Sequence, residues 1–332
     1  MTKIKTILTV LLISIASPAH SMENAPDAPN DGRTVPLIIQ GSGKNCTGFL
    51  YSEKIVLTAG HCIFDRYTQN LLQQQYIGKP GMPYVPNSNE YELFPIEKTF
   101  SNWKIKTGTD YSDTDDFAVL VLKNKILVPG KVYIATKEQV DSYIKNKAMV
   151  TTIGYGLQSK EHKQNDFTKP KYAQFPLVSN ERISAVKSEV YSYSGVGHYG
   201  MKIHVLQVPG GPSTCSGDSG SPFYIKDGEN FIYLGPLSWG FGGIPNCSGN
   251  GWKTNEMNMG SVAAYDYLSL IKEAENYINL NNVPIAVPEK AVAFESTTKT
   301  VVQKTTKCYR GKLIKTMPEI NSKCPKGYKV KV

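Results

Sequence analysis

Three short blocks of this sequence hold side chains that could do chemistry together. Ser219 lies in Cys215-Ser216-Gly217-Asp218-Ser219-Gly220-Ser221-Pro222. Glycines at 217 and 220 let the backbone turn tightly and approach a ligand. In such a turn the N–H groups of Gly217 and Ser219 can point at one spot beside the Ser219 hydroxyl. Two donors aimed at a developing oxyanion are what acyl transfer needs, and losing one typically costs ~10²–10³ in rate. Taken alone, the octapeptide also fits an ordinary glycine-serine loop.

A serine hydroxyl needs a base to become a nucleophile. Of the five histidines, His20 falls in a leader, His162 in a charged loop, and His198 and His204 flank a strand-like run. His61 differs: it stands in Thr58-Ala59-Gly60-His61-Cys62, at the end of an apolar strand and beside a cysteine. The base in turn needs a carboxylate to set its tautomer. Asp110, Asp113, Asp115 and Asp116 crowd one loop, and Asp116 directly precedes the apolar run Phe117-Ala118-Val119-Leu120. That places it where a loop enters a buried strand. The acidic cluster lacks the regular ligand spacing of a calcium loop.

The elements that must position these residues read as β structure. The chain has 332 residues, 40% hydrophobic and 20% charged, enough to bury more than one small core. Runs rich in Val, Ile, Leu and aromatics are predicted as strands at residues 35–40, 47–51, 54–58 and 117–122. A second series follows at 148–154, 202–208, 222–225 and 231–238. The polar stretch 127–146 reads as the bridge between halves. Apolar residues recur at helical spacing from 262 to 280, and Asn281 and Asn282 then give a stop. Residues 283–307, with many threonines and two prolines, read as a linker.

Lys3 and Lys5, the apolar run 7–15 and the small residues Ser17, Ala19 and Ser21 have the order of a secretory signal peptide over residues 1–21. The run is too short to span a membrane, which takes about 20 apolar residues. Localisation is therefore read as extracellular or periplasmic. The six cysteines fall as three local couples, Cys46 with Cys62, Cys215 with Cys247 and Cys308 with Cys324. No couple has zinc-ligand spacing, and export favours disulfides. The net charge of +9 resides in residues 299–332, which carry ten basic residues and one acid, Glu319. The other 298 residues, with 27 basic and 27 acidic, sum to zero, which excludes a generally nucleic-acid-binding body. The tail, with a small disulfide-tied unit at 308–332, is expected either to engage an anionic surface or glycan or to act as a solubilising appendage.

Together the His61, Asp116 and Ser219 blocks resemble, in order, the signature blocks of the chymotrypsin/trypsin-like serine proteases, and with the leader the resemblance is to a secreted bacterial member. Ser238-Trp239-Gly240 is similar to the strand along which such enzymes pair the substrate backbone. Cys46–Cys62 and Cys215–Cys247 match two of the family's disulfides. The resemblance implies an all-β domain over 34–282. Two six-stranded antiparallel barrels, about 34–130 and 145–260, would precede the C-terminal helix. It implies a catalytic set of His61, Asp116 and Ser219, an oxyanion hole from the Gly217 and Ser219 N–H groups, and no metal or organic cofactor. The partner would be a protein or peptide substrate, and the enzyme is read as a monomer.

Specificity follows only partly. Ser213 stands where enzymes cutting after Lys or Arg carry aspartate, and Leu237 where those cutting after Glu carry histidine. Gly240 leaves the entrance open, so apolar or aromatic residues are expected, while Lys253, Glu256 or Met257 could intrude on the back wall. In the family a new N-terminal ammonium pairs with the aspartate equivalent to Asp218. The usual hydrophobic-Gly-Gly start is missing here; Arg33-Thr34-Val35-Pro36 matches partly, which makes 22–33 a propeptide or an N-terminal arm. The rival readings are a catalytically silent binding or adhesion protein and an esterase using the same triad.

Overall fold

β-Branched and aromatic residues gathered between turns build this molecule, because they suit a pleated, half-buried surface. The computed structural model describes residues 22, 25–39, 45–65, 68, 70–83, 92–105, 113–156, 169–182, 201–207, 211–240, 257–281, 305–310, 313–318 and 329–330. In the first half, β1 (Thr34–Ile39), β2 (Asn45–Leu50), β3 (Ile55–Thr58), β4 (Gln75–Ile77), β5 (Phe94–Ser101) and β8 (Ala118–Leu122) form a closed barrel in the order β1-β2-β3-β8-β5-β4. Every neighbouring pair is antiparallel. Two short strands, β6 (Lys104–Ile105) and β7 (Asp113–Thr114), make a separate ribbon.

β3 and β8 are buried at every residue. Val56, Ala118 and Leu120 point into the barrel, whereas Leu57, Val119 and Val121 face a cluster containing Tyr224, Phe231 and Tyr233. Burial on both faces explains why these strands read as continuous apolar runs rather than alternating ones.

The second barrel comprises β10 (Met149–Gly154), β11 (Lys171–Val178), β12 (Met201–Gln207), β13 (Pro222–Asp227), β14 (Asn230–Gly240) and β15 (Met257–Val262). Their order is β13-β10-β11-β12-β15-β14, and the β13–β14 pairing closes the ring. Within the barrel β14 pairs β13 up to Pro236 and β15 from Leu237 onward, with a register shift between Leu237 and Trp239. The expected pair of six-stranded antiparallel barrels is thus present.

The bridge 127–146 is more structured than its polarity suggests. It holds β9 (Val132–Ile134), added in parallel beside β14, and a helix at Lys137–Lys145. Thr136 and Gln139 cap that helix reciprocally, and this satisfies two otherwise orphaned N–H groups. The C-terminal helix is Leu268–Asn281; it begins after the 3-10 turn Ala264–Tyr267, while Val262 closes β15. A tight turn and a helix share similar apolar spacing, so the sequence pattern alone starts the helix too early. Leu270, Ile271 and Ala274 pack its apolar stripe against the Phe117 and Val119 cluster.

Residues 293–332 form a separate compact unit. Its described strands, β16 (Thr305–Arg310), β17 (Leu313–Pro318) and β18 (Lys329–Val330), lie in the order β17-β16-β18, all antiparallel. Its first strand starts at Thr305, three residues before the expected boundary. The leader and residues 283–304 lie outside the described residues. Among the described residues, no helix is long and apolar enough to cross a membrane.

Candidate active site

β3 ends at Thr58, and the chain turns through the short 3-10 segment Gly60–Cys62. Gly60 is needed there, since a Cβ would lie 2.5 Å from Cβ of Trp103. The Cys46–Cys62 disulfide ties this turn to β2. His61 is thereby held against Asp116, which sits two residues before β8. The His61 backbone N–H donates to Asp116 Oδ1 at 2.7 Å, and ring Nδ1 lies 2.8 Å from Oδ2. A carboxylate only accepts, so Nδ1 carries the proton and Nε2 is left as the basic nitrogen. Ser238 Oγ, from β14 in the second barrel, donates to the same Oδ2.

Asp116 is fully buried. Burial by itself pushes its carboxyl up, but the charge of His61 and hydrogen bonds from the His61 ring, Ser238 and the His61 backbone outweigh that and hold it below the ordinary 3.8. The residues on either side are anchored by a single tyrosine. Tyr267 stacks on Phe117 with ring centroids 4.8 Å apart, and its hydroxyl donates to Asp115 Oδ1 at 3.2 Å. Asp115 itself takes a left-handed φ of 60°.

Ser219 sits on a turn between β12 and β13 in which Gly217 has φ 97° and Gly220 φ 82°. Asp218 N–H donates to Cys215 O, Gly220 N–H to Leu237 O and Ser221 N–H to Asp218 O. Among the described residues, no carbonyl takes the N–H of Gly217 or Ser219. Thr47 on β2 binds this turn to the first barrel: its N–H donates to Ser219 O at 2.8 Å and its hydroxyl to Gly217 O at 3.1 Å. Thr58, three residues before His61, donates its hydroxyl to Thr47 O at 2.8 Å. The serine turn and the histidine turn therefore share one pair of threonines.

Asp218 is wholly buried and accepts the N–H groups of Gly156 and Cys215, each at 2.8 Å, and that of Met22. Burial pushes its carboxyl up to about 7, against the pull of those three donors.

The remaining expected site residues are placed as follows. Ser213 is buried, as is Leu237, whose side chain belongs to the second-barrel core. Trp239 and Gly240 continue β14 opposite Gly260 and Met259. Lys253, Glu256 and the Met257 side chain lie outside the described residues, as do His20, His162 and His198; His204 is buried on β12. Cys215 is disulfide-bonded. Its expected partner Cys247 is outside the description, as are Cys324 and the Cys308 side chain. Sulfur and ring atoms of Cys46, Cys62 and His61 lie within 4.8 Å of one another, but the disulfide leaves no thiolate to bind a metal. Sequence reasoning passed over Thr47, Thr58, Tyr267 and Met22. Thr58 opens the histidine block but reads only as part of its strand; Thr47 and Tyr267 belong to residue types common in strands and helices, and neither they nor Met22 stand in a motif.

Comparison with known proteins agrees with this geometry. The family model described as Trypsin matches residues 24–254. A "Trypsin-like protease" of Streptomyces glaucescens is 28% identical over 255 residues, 72% of this chain and 82% of that protein. "Snake venom serine protease 5" of Trimeresurus stejnegeri is 23% identical over 244 residues, covering 72% and 86%. "Trypsin 5G1" of Aedes aegypti is 27% identical over 203 residues, covering 61% and 68%. With two closed barrels, a C-terminal helix and a family match across most of its length, the chain belongs to the trypsin family of serine proteases.

Proposed function

We propose that the protein is a secreted serine endopeptidase in which His61, Asp116 and Ser219 cut peptide bonds through an acyl-enzyme. The observation that supports this reading is the hydrogen-bonded line from Ser238 through Asp116 to His61 Nδ1, which leaves Nε2 as the unprotonated, basic nitrogen of the ring. Ser219 Oγ attacks the substrate carbonyl as Nε2 takes its proton. The N–H groups of Gly217 and Ser219 receive the oxyanion. The tetrahedral intermediate collapses as His61 gives the proton to the leaving amine, and water then releases the acyl group by the same steps in reverse. Asp116 stabilises the imidazolium without being protonated itself.

The leader over residues 1–21 supports export. Ser213 in place of an acidic residue supports apolar or aromatic side chains at the cut, since a buried basic side chain without a partner is costly. The basic strands of the C-terminal unit support an electrostatic contact with an anionic surface or glycan.

Profiling a peptide library and small esters with the purified protein and its Ser219→Ala variant tests the reading. Cleavage of peptides that vanishes in the variant is expected, with preference read at the same time. Ester turnover without peptide turnover would favour the esterase reading, and binding without turnover the silent scaffold.

A further inference from the structure

Asp116 sits at the middle of a tight three-residue turn, closed by the Phe117 N–H donating to the Asp115 carbonyl across 2.6 Å. Asp115 enters that turn at φ 60°, a left-handed conformation that costs energy for a residue with a Cβ. Backbone in such a conformation persists only where its surroundings hold it. Tyr267 grips both flanks of the turn at once. Its hydroxyl donates to Asp115 Oδ1 at 3.2 Å, and its ring lies within 7° of parallel to Phe117. Ser101 Oγ adds a third hold, donating to the Phe117 carbonyl at 2.6 Å.

The carboxylate and the backbone that carries it are thus held by different partners. His61, through its backbone N–H and its ring, and the Ser238 hydroxyl engage the Asp116 oxygens. Tyr267 and Ser101 hold the neighbouring residues. We propose that Tyr267 is a positioning residue for this site: by clamping Asp115 and Phe117 it sets where the Asp116 carboxylate meets the His61 ring. It acts through the neighbours of Asp116, not on any reacting group. The clamp lasts over a wide pH range, because burial and the Asp115 charge push ionisation of the Tyr267 hydroxyl well above the ordinary 10.

The tyrosine comes from the far end of the domain, 152 positions after Asp115. It ends the 3-10 turn Ala264–Tyr267, and the C-terminal helix starts at the next residue. Ala264, Leu270, Ile271 and Ala274 pack that turn and helix into the cluster that holds Phe117 and Val119. Apolar burial there fixes the helix against β8, and the helix in turn fixes the tyrosine. Covering a hydrophobic strand and placing a carboxylate are therefore one packing event. The effect on turnover rests on the protease reading; the effect on the His61 ring does not.

Tyr267→Phe keeps the stack and loses the hydroxyl, whereas Tyr267→Leu loses both. Peptide turnover and the His61 ring titration, followed by NMR, are measured on each beside the unaltered protein. In the Phe variant kcat should fall about three- to tenfold. In the Leu variant the fall should be ~10²-fold, as for a misplaced reacting group, with KM little changed in both. The His61 titration should move to lower pH in the same order, because its imidazolium loses part of the facing carboxylate. Asp115→Asn keeps an oxygen acceptor and tolerates the left-handed φ, so it should lose less than Tyr267→Phe. Unchanged kcat with an unmoved titration in Tyr267→Phe would overturn the proposal, even if that variant were less stable to urea. That variant decides alone should Tyr267→Leu fail to fold. An inactive unaltered protein whose His61 titration still shifts in Tyr267→Phe would keep the clamp and sink the protease reading.

Discussion

Thr47 in the first barrel donates its backbone N–H to the carbonyl of Ser219 in the second, across 2.8 Å. With its hydroxyl on Gly217 O and the Tyr155 N–H on that hydroxyl, Thr47 locks the serine turn to the barrel that carries His61.

Replacing that hydroxyl should misplace the turn more than it unfolds the protein. Thr47→Val leaves Gly217 O and Tyr155 N–H without their buried partner, a loss of about 1–3 kcal/mol. We expect kcat to fall at least tenfold with little change in KM, because the proposed oxyanion donors, Gly217 and Ser219 N–H, would act mainly in the transition state. Steady-state kinetics beside urea unfolding measure both; unchanged kcat at lowered stability would reduce Thr47 to a structural residue.

Gly220 should tolerate no side chain. At φ 82° a Cβ would lie 2.1 Å from Thr47 O and 2.2 Å from Thr58 Oγ1. Gly220→Ala therefore has to push the serine turn away from both threonines. Peptidase activity should drop ~10²-fold or more, as for a 1 Å misplacement of reacting groups, in protein that still folds by circular dichroism.

Ser238 supplies one of the bonds that keep Asp116 ionised in a buried site. Ser238→Ala should raise the Asp116 carboxyl and weaken its hold on the His61 tautomer. A three- to tenfold lower kcat is expected, about 1 kcal/mol of a charge-assisted bond. Ser238→Thr, which keeps the hydroxyl, should recover most of it. Equal activity of all three proteins would show the bond to be idle.

The two buried aspartates should give stability opposite pH dependences. Asp116 is held below 3.8, so its contribution is present above that value and lost as pH falls through its lowered folded pKa. Burial raises Asp218 to about 7. Its contribution is complete below 3.8 and lost as pH rises through about 7. Urea midpoints across the acid and neutral range should show both losses, and Asp218→Asn should remove the one that sets in as pH rises through about 7. A loss above neutral pH that persists in Asp218→Asn would overturn the assignment to Asp218.

Much of the fold was legible because barrel strands such as β3 and β8 announce themselves as apolar runs between glycines and turns. β11 did not, since the buried Lys171 and the half-buried Tyr172, Pro176 and Val178 mask an alternation that burial along the strand makes plain. β9 was hidden because a three-residue strand gains its pairing only from β14, more than ninety residues later. The residues proposed for the chemistry stood out through their neighbours: the glycines around Ser219, the cysteine beside His61 and the apolar run after Asp116.

By itself the sequence determined which residue types could do acyl transfer and which segments would be strands or helix, because both are set by neighbours within a few positions. Tertiary structure alone decided that Asp116 receives His61 from 55 residues away and Ser238 from 122, that Thr47 reaches Gly217 across 170, and that Met22 ends beside Asp218. Those meetings depend on how two closed barrels pack face to face, and no local periodicity along the chain encodes that packing.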